Sequence, residues 1–124
     1  MLKQYKGEWE FDTNWKMIFG HPKKAGWIKA IQEAQQTVQK GLKLDCPILV
    51  MSSNKSFPET ETWHEEYMTS DIVLDVQDIQ KYGEKLGDKV TRDTIPNGIH
   101  DLILSQKPYR NDAYQTIFEW LKKQ

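Results

Sequence analysis

Apolar residues recur at helical spacing after Ala25, where Trp27, Ile31, Ala34, Val38 and Leu42 share one face among glutamines and lysines. The spacing predicts an amphipathic helix over residues 25–42. The run "CPILVMSS" that follows is continuously apolar, of strand length and opened by a proline, the pattern of a strand covered on both faces of a parallel sheet. It predicts a strand over residues 46–52. Residues 75–86 predict a second helix, with Asp75 as N-cap, Val76, Ile79 and Leu86 on one face, and Gly87 as the stop. The segment "DKVTRDTI", residues 88–95, reads as a second strand. Asn111 or Asp112 can then cap a closing helix over residues 111–122, whose Tyr114, Ile117, Phe118 and Leu121 fall at i, i+3, i+4 and i+7. Residues 1–24 carry Trp, Gly and charge with no sustained period, and His21, before Pro22, reads as a loop residue.

Strand, helix, strand and helix in this order predict an α/β fold, a right-handed βαβα unit with the two strands parallel and adjacent. In open α/β sheets, sites form at the carboxyl ends of strands. The segment "IPNGIHDLILS" presents His100 at such an end, after a Pro-Asn-Gly turn. An imidazole aimed from a rigid element is a frequent general base, although a lone histidine also serves structural roles. Neighbouring strands lie about 5 Å apart, so an acid at the end of the first strand converges on His100. Asp71 and Asp75, in "SDIVLDV", are the candidates.

Composition narrows the function. The chain of 124 residues is a single domain at most, and its 17 basic and 18 acidic side chains leave a net charge of -1. No field gathers nucleic acid or an anionic membrane. The only cysteine, Cys46, cannot form an internal disulfide and is expected to be a buried, inert thiol. No stretch approaches the ~20 apolar residues of a membrane span, and the N-terminal segment lacks a secretory signal, so the default compartment is the cytoplasm. The segment "ETETWHEEYM" gathers Glu59, Glu61, His64, Glu65 and Glu66, but position 68 is methionine and no metal-binding spacing results. It reads as a solvated acidic loop; no metal site or cofactor is expected. The five tryptophans are expected in packing rather than in a ligand groove.

The segments "CPILVMSSNKSFPE", "SDIVLDVQDIQKYGEKLG" and "IPNGIHDLILS", followed by "IFEWL", together resemble the carboxy-terminal part of a serine α/β-hydrolase. The likeness is to the lysophospholipase, monoacylglycerol-lipase-like and serine-aminopeptidase-like group, and it spans residues 45–124. It implies a triad acid after the seventh strand of the family fold, at Asp71 or alternatively Asp75, with Glu59 a weaker alternative, a base after the eighth, at His100, and a closing helix. Residues 1–44 would then be a lid-derived segment and helix, and residues 45–124 the βαβα part of the core. The nucleophile elbow G-x-S-x-G occurs nowhere, because serines 52, 53, 56, 70 and 105 lack the flanking glycines. A further departure from the family is the 18 residues from Ser53 to Ser70 that separate Ser52 from Asp71. The expectation is a fragment of a hydrolase of acyl or lipid esters, inactive by itself and engaging substrate only with a missing N-terminal half. The open edge of the 46–52 strand is expected to drive homo-oligomerisation, as a two-fold dimer that helix 25–42 joins. The alternative is a stand-alone α/β binding or interaction module in which His100 is structural.

Overall fold

The computed structural model describes Lys3, residues 7–17, Gly20 and residues 22–124; His21 lies outside the described residues. The helical spacing after Ala25 produces α1 (Ala25–Lys40), which stops at Gly41 with a φ of 97°, backbone that favours glycine. The apolar run becomes β1 (Ile48–Ser53), and α2 (Val76–Gly83) follows a long excursion, its last turn tightening into a 3-10 turn at Glu84–Leu86. The chain then forms β2 (Val90–Ile95), a short 3-10 turn at Leu102–Leu104 and α3 (Lys107–Leu121). The class is α/β: three helices and a parallel sheet that has two strands among the described residues. β1 pairs with β2 in one unbroken register, Ile48 opposite Val90 and Ser53 opposite Ile95. Both strands therefore release the chain at the same end.

Two glycines set how closely these elements approach. At Gly83 a Cβ would stand 3.0 Å from Val50 Cγ1, so the end of α2 lies directly on β1. At Gly87 a Cβ would stand 2.2 Å from Leu44 O, because an isolated parallel bridge between Leu44 and Gly87 prolongs the ladder. The predicted stop is thus a close approach of two backbones.

Burial departs from the sequence pattern in several places. β1 is only half-buried over Ile48–Met51 rather than covered on both faces, and Cys46, ahead of the strand, is exposed rather than buried. α1 buries no residue, and its Trp27 and Ile31 are exposed. Nor does tryptophan fill the core: Trp15, Trp27 and Trp63 are exposed, and Trp9 and Trp120 are half-buried. α3 begins at Lys107 instead of Asn111, with Pro108 in its first turn, a residue preset for helix entry. It turns Ala113, Thr116, Ile117 and Trp120 inward, a stripe about one residue round from the predicted one. Tyr114, Phe118 and Leu121 stay exposed, with the Tyr114 and Phe118 rings stacked at 6.3 Å. Among the described residues no helix is long and apolar enough to cross a membrane.

The close approach at Gly87 makes a sharp prediction. Gly87→Ala should lower unfolding stability by about 2 kcal/mol, because backbone on backbone cannot yield as a side chain can. Gly26→Ala, whose Cβ would meet nothing within 4 Å, should be neutral or stabilising by up to about 1 kcal/mol. Urea midpoints of the two variants check the pair.

Candidate active site

Asp71 is fixed by its backbone before its side chain does anything. Beyond β1 the chain runs on to an isolated parallel bridge between Ser56 and Asp71. Asp71 N–H donates to Lys55 O at 3.0 Å, and Phe57 N–H donates to Asp71 O at 2.9 Å. Ser56 Oγ adds a second tie, accepting from Val76 N at 2.8 Å and donating to Leu74 O at 3.0 Å. The long excursion before Asp71 is therefore closed at its base. Within it, Tyr67 Oη accepts from Thr60 N at 2.7 Å, and the Phe57, His64 and Tyr67 rings pack with centroids 5.3 to 6.0 Å apart.

The carboxylate of Asp71 is 1% exposed, and both of its oxygens have partners. Its Oδ1 accepts from Val73 N at 2.8 Å and Leu74 N at 2.9 Å, and its Oδ2 lies 2.8 Å from His100 Nδ1. A carboxylate only accepts, so Nδ1 must be the protonated nitrogen and the donor. Holding the proton on Nδ1 leaves the Nε2 lone pair available.

His100 reaches this position through a tight turn. Gly98 N–H donates to Ile95 O at 3.1 Å across Pro96 and Asn97, the asparagine having a φ of 58°, as the third residue of such a turn requires. Asn97 N–H also donates to Asn54 Oδ1 at 3.0 Å, joining the chain beyond β2 to that beyond β1. After the turn, Ile99 N–H donates to the buried Ser105 Oγ at 3.0 Å. The His100 side chain is 41% exposed, and among the described residues its Nε2 makes no hydrogen bond. It borders an open cleft of about 510 Å³ that Leu49, Met51, Leu102, Ala113 and Ile117 also line. An imidazole oriented at Nδ1 and open at Nε2 can take a proton from a group entering that cleft.

The remaining candidates do not join this pair. Asp75 is occupied as the N-cap of α2, its Oδ1 accepting from Gln77 N at 2.8 Å. Glu59 is an exposed side chain of the excursion, and His64 is held in the aromatic cluster. Among the described residues no three His, Cys, Asp or Glu side chains could share a metal ion.

Sequence reasoning missed the residues that brace the histidine loop. Ser105 lies within the motif that singled out His100, but a serine carries no mark of its partner. Glu8 and Trp9 come from the segment without period. Glu8 Oε1 accepts from Lys107 N at 3.1 Å, capping α3, whose own N-cap Gln106 makes no side-chain bond. Its Oε2 pairs with Arg110 Nη2 at 3.0 Å. The Lys107 N–H, and after it the Arg110 guanidinium, hold the Glu8 carboxyl below its ordinary 4.5. No signal within a few residues of Glu8 could have revealed partners about a hundred positions away.

Compared with known proteins, the chain matches no family model, no curated protein and no solved structure.

Two outcomes follow from these bonds. Asp71→Ala should destabilise the chain by about 2 kcal/mol or more, since it strands two backbone donors, whereas Asp71→Asn keeps an acceptor for them and costs less. Asp71→Asn should also turn the His100 ring to the Nε2-protonated tautomer, which ¹⁵N chemical shifts report. The second outcome concerns pH. Glu8 has a lowered value in the folded chain, so its contribution is complete above 4.5 and is lost as pH falls through the still lower folded value. Amide exchange at Lys107 should therefore stay slow from pH 7 down to about 4.5 and accelerate only in stronger acid, beyond the intrinsic exchange trend.

Proposed function

We propose that the chain supplies the acid and the base of a serine hydrolase acting on carboxylic esters, acyl or lipid esters in particular. The nucleophile comes from a further segment seated on the open side of β1. One observation carries this reading: Asp71 and His100 meet at 2.8 Å beyond the carboxyl ends of two adjacent parallel strands, and His100 borders an open cleft. The resemblance of residues 45–124 to the closing part of an α/β-hydrolase supports the same roles, with residues 1–44 as a lid-derived segment. In this mechanism His100 Nε2 takes the proton of the incoming serine hydroxyl as its oxygen attacks the ester carbonyl. Asp71 holds the tautomer and stabilises the imidazolium that forms, and His100 then protonates the leaving alcohol. The oxyanion donors belong, like the serine, to the other segment.

The two edges of the sheet support the place of that segment. β2 carries exposed Thr91, Arg92, Asp93 and Thr94, the polar and charged character that protects a true sheet edge. β1 carries Ile48, Leu49, Val50 and Met51, the composition of an inner strand, yet no strand pairs with its far side among the described residues. When the nucleophile-bearing segment is absent, the same edge takes a second copy of the chain.

The chain alone should neither hydrolyse p-nitrophenyl esters above background nor label with a fluorophosphonate; labelling at any of its own serines would defeat the proposal. Joined to a G-x-S-x-G segment that restores turnover, it should lose several orders of magnitude in kcat on His100→Ala with folding nearly intact. Near-normal turnover in that variant would remove His100 from the mechanism. Light scattering of the chain alone at micromolar concentration should give a dimer, and a strictly monomeric chain would count against the open β1 edge.

A further inference from the structure

The N-terminal residues Gly7 to Trp9 lie against both loops of the acid–base pair. Gly7 and Glu8 face Met68, from the excursion that delivers Asp71, and Ile99 and Leu104, from the loop that carries His100, across a cavity of only about 20 Å³. Trp9 Nε1 donates to Leu104 O at 3.3 Å, and the Arg110 guanidinium lies 4.8 Å from the centre of the Trp9 ring. Arg110 Nη1 in turn donates to Ser105 O at 3.3 Å, while Ser105 Oγ accepts from Ile99 N, next to His100. A continuous set of bonds thus runs from the Glu8 carboxylate through Arg110 and Ser105 to the backbone beside the imidazole.

We propose that Glu8 is a positioning residue for His100: the strap formed by Gly7, Glu8 and Trp9 sets how firmly the imidazole is held on Asp71. The inference rests on the reading of Asp71 and His100 as acid and base. Without the strap, the loop from Ile99 to Ser105 keeps its own 3-10 turn and the Ser105 Oγ bond, but Ser105 is tied to α3 through an arginine that has lost its carboxylate. Such a loop has more freedom, and a half-exposed imidazole spends more time away from its carboxylate. The effect reaches His100 without Glu8 touching substrate or the reacting atoms.

The test uses the ¹⁵N-labelled full chain and reads the His100 ring directly, so it needs no turnover. At pH 8 the unmodified chain should show a protonated Nδ1, an unprotonated Nε2 and a slowly exchanging Nδ1–H. Glu8→Ala should raise the exchange rate of that proton at least tenfold while far-ultraviolet circular dichroism stays unchanged. Glu8→Gln, which keeps an acceptor for Lys107 N–H but gives up the charge facing Arg110, should fall between the two. A wild-type exchange rate in a folded Glu8→Ala chain would overturn the proposal. Should Glu8→Ala unfold, Glu8→Gln decides by the same criterion, since its fold keeps the cap. An ester hydrolase that never assembles would defeat the reading of the site, whereas the exchange rate at Nδ1 would still decide whether the strap holds the imidazole.

Discussion

The buried carboxylate of Asp71 joins three stretches of chain that share no local reason to meet. Its backbone is clamped to the continuation of β1, its Oδ1 gathers the two N–H groups that start the turn into α2, and its Oδ2 reaches across to the loop after β2. Burying a carboxylate is costly unless both of its oxygens find donors, and here three donors converge on it. The requirement works in both directions. The turn at Val73 and Leu74 needs the carboxylate to satisfy its amides, and the carboxylate needs His100 as its third donor. His100 is consequently defined at Nδ1 by the fold while its other nitrogen makes no hydrogen bond among the described residues.

Parallel pairing is what brings these groups into range. Because β1 and β2 run side by side in register, Asn54 and Asn97 sit just past matching strand ends and can bond across the gap. Shifting the register by one residue would carry His100 along the strand by about 3.3 Å and reverse the faces of the strand residues, breaking both the asparagine tie and the contact with Asp71. The close approaches at Gly83 and Gly87 resist such a slip, one against Val50 and the other against Leu44.

The order of elements was legible because each rests on a short-range pattern: the apolar run of β1, the Asp75 cap and apolar spacing of α2, and the Pro-Asn-Gly turn before His100. The meeting of Asp71 with His100 was legible too, as a consequence of parallel strands ending together. The face of α3 was not. Its sequence offers two apolar stripes about 100° apart, Ala113 with Ile117 and Trp120, and Tyr114 with Phe118 and Leu121, and periodicity cannot choose between them. The choice belongs to what packs beneath, here the loop after His100 and the edge of β2, where Trp120 Nε1 donates to Thr91 Oγ1 at 3.2 Å. The start of α3 was hidden for a related reason, since the group that satisfies its first N–H is Glu8.

Burial in this chain is divided by chemistry. The most enclosed side chains include Ser52, Ser53, Ser70, Asp71 and Ser105, beside only four buried apolar residues among those described, while Phe118, Leu121, Val73 and Trp27 stand in solvent. The polar centre holds its parts by directed bonds: Ser52 Oγ donates to Ser53 O and accepts from Gln80 Nε2, Ser53 Oγ accepts from Lys55 N, and Ser105 Oγ accepts from Ile99 N. Of the buried side-chain nitrogens and oxygens among the described residues, only Ser70 Oγ lacks a partner. Apolar burial is the non-directional term that drives collapse, whereas hydrogen bonds fix where particular atoms stand. The geometry around Asp71 and His100 is therefore set by contacts already made, while much of the apolar surface that could add stability is still uncovered. A surface that later covers β1, α1 or the outer stripe of α3 would add stability around a pair whose internal geometry does not wait for it.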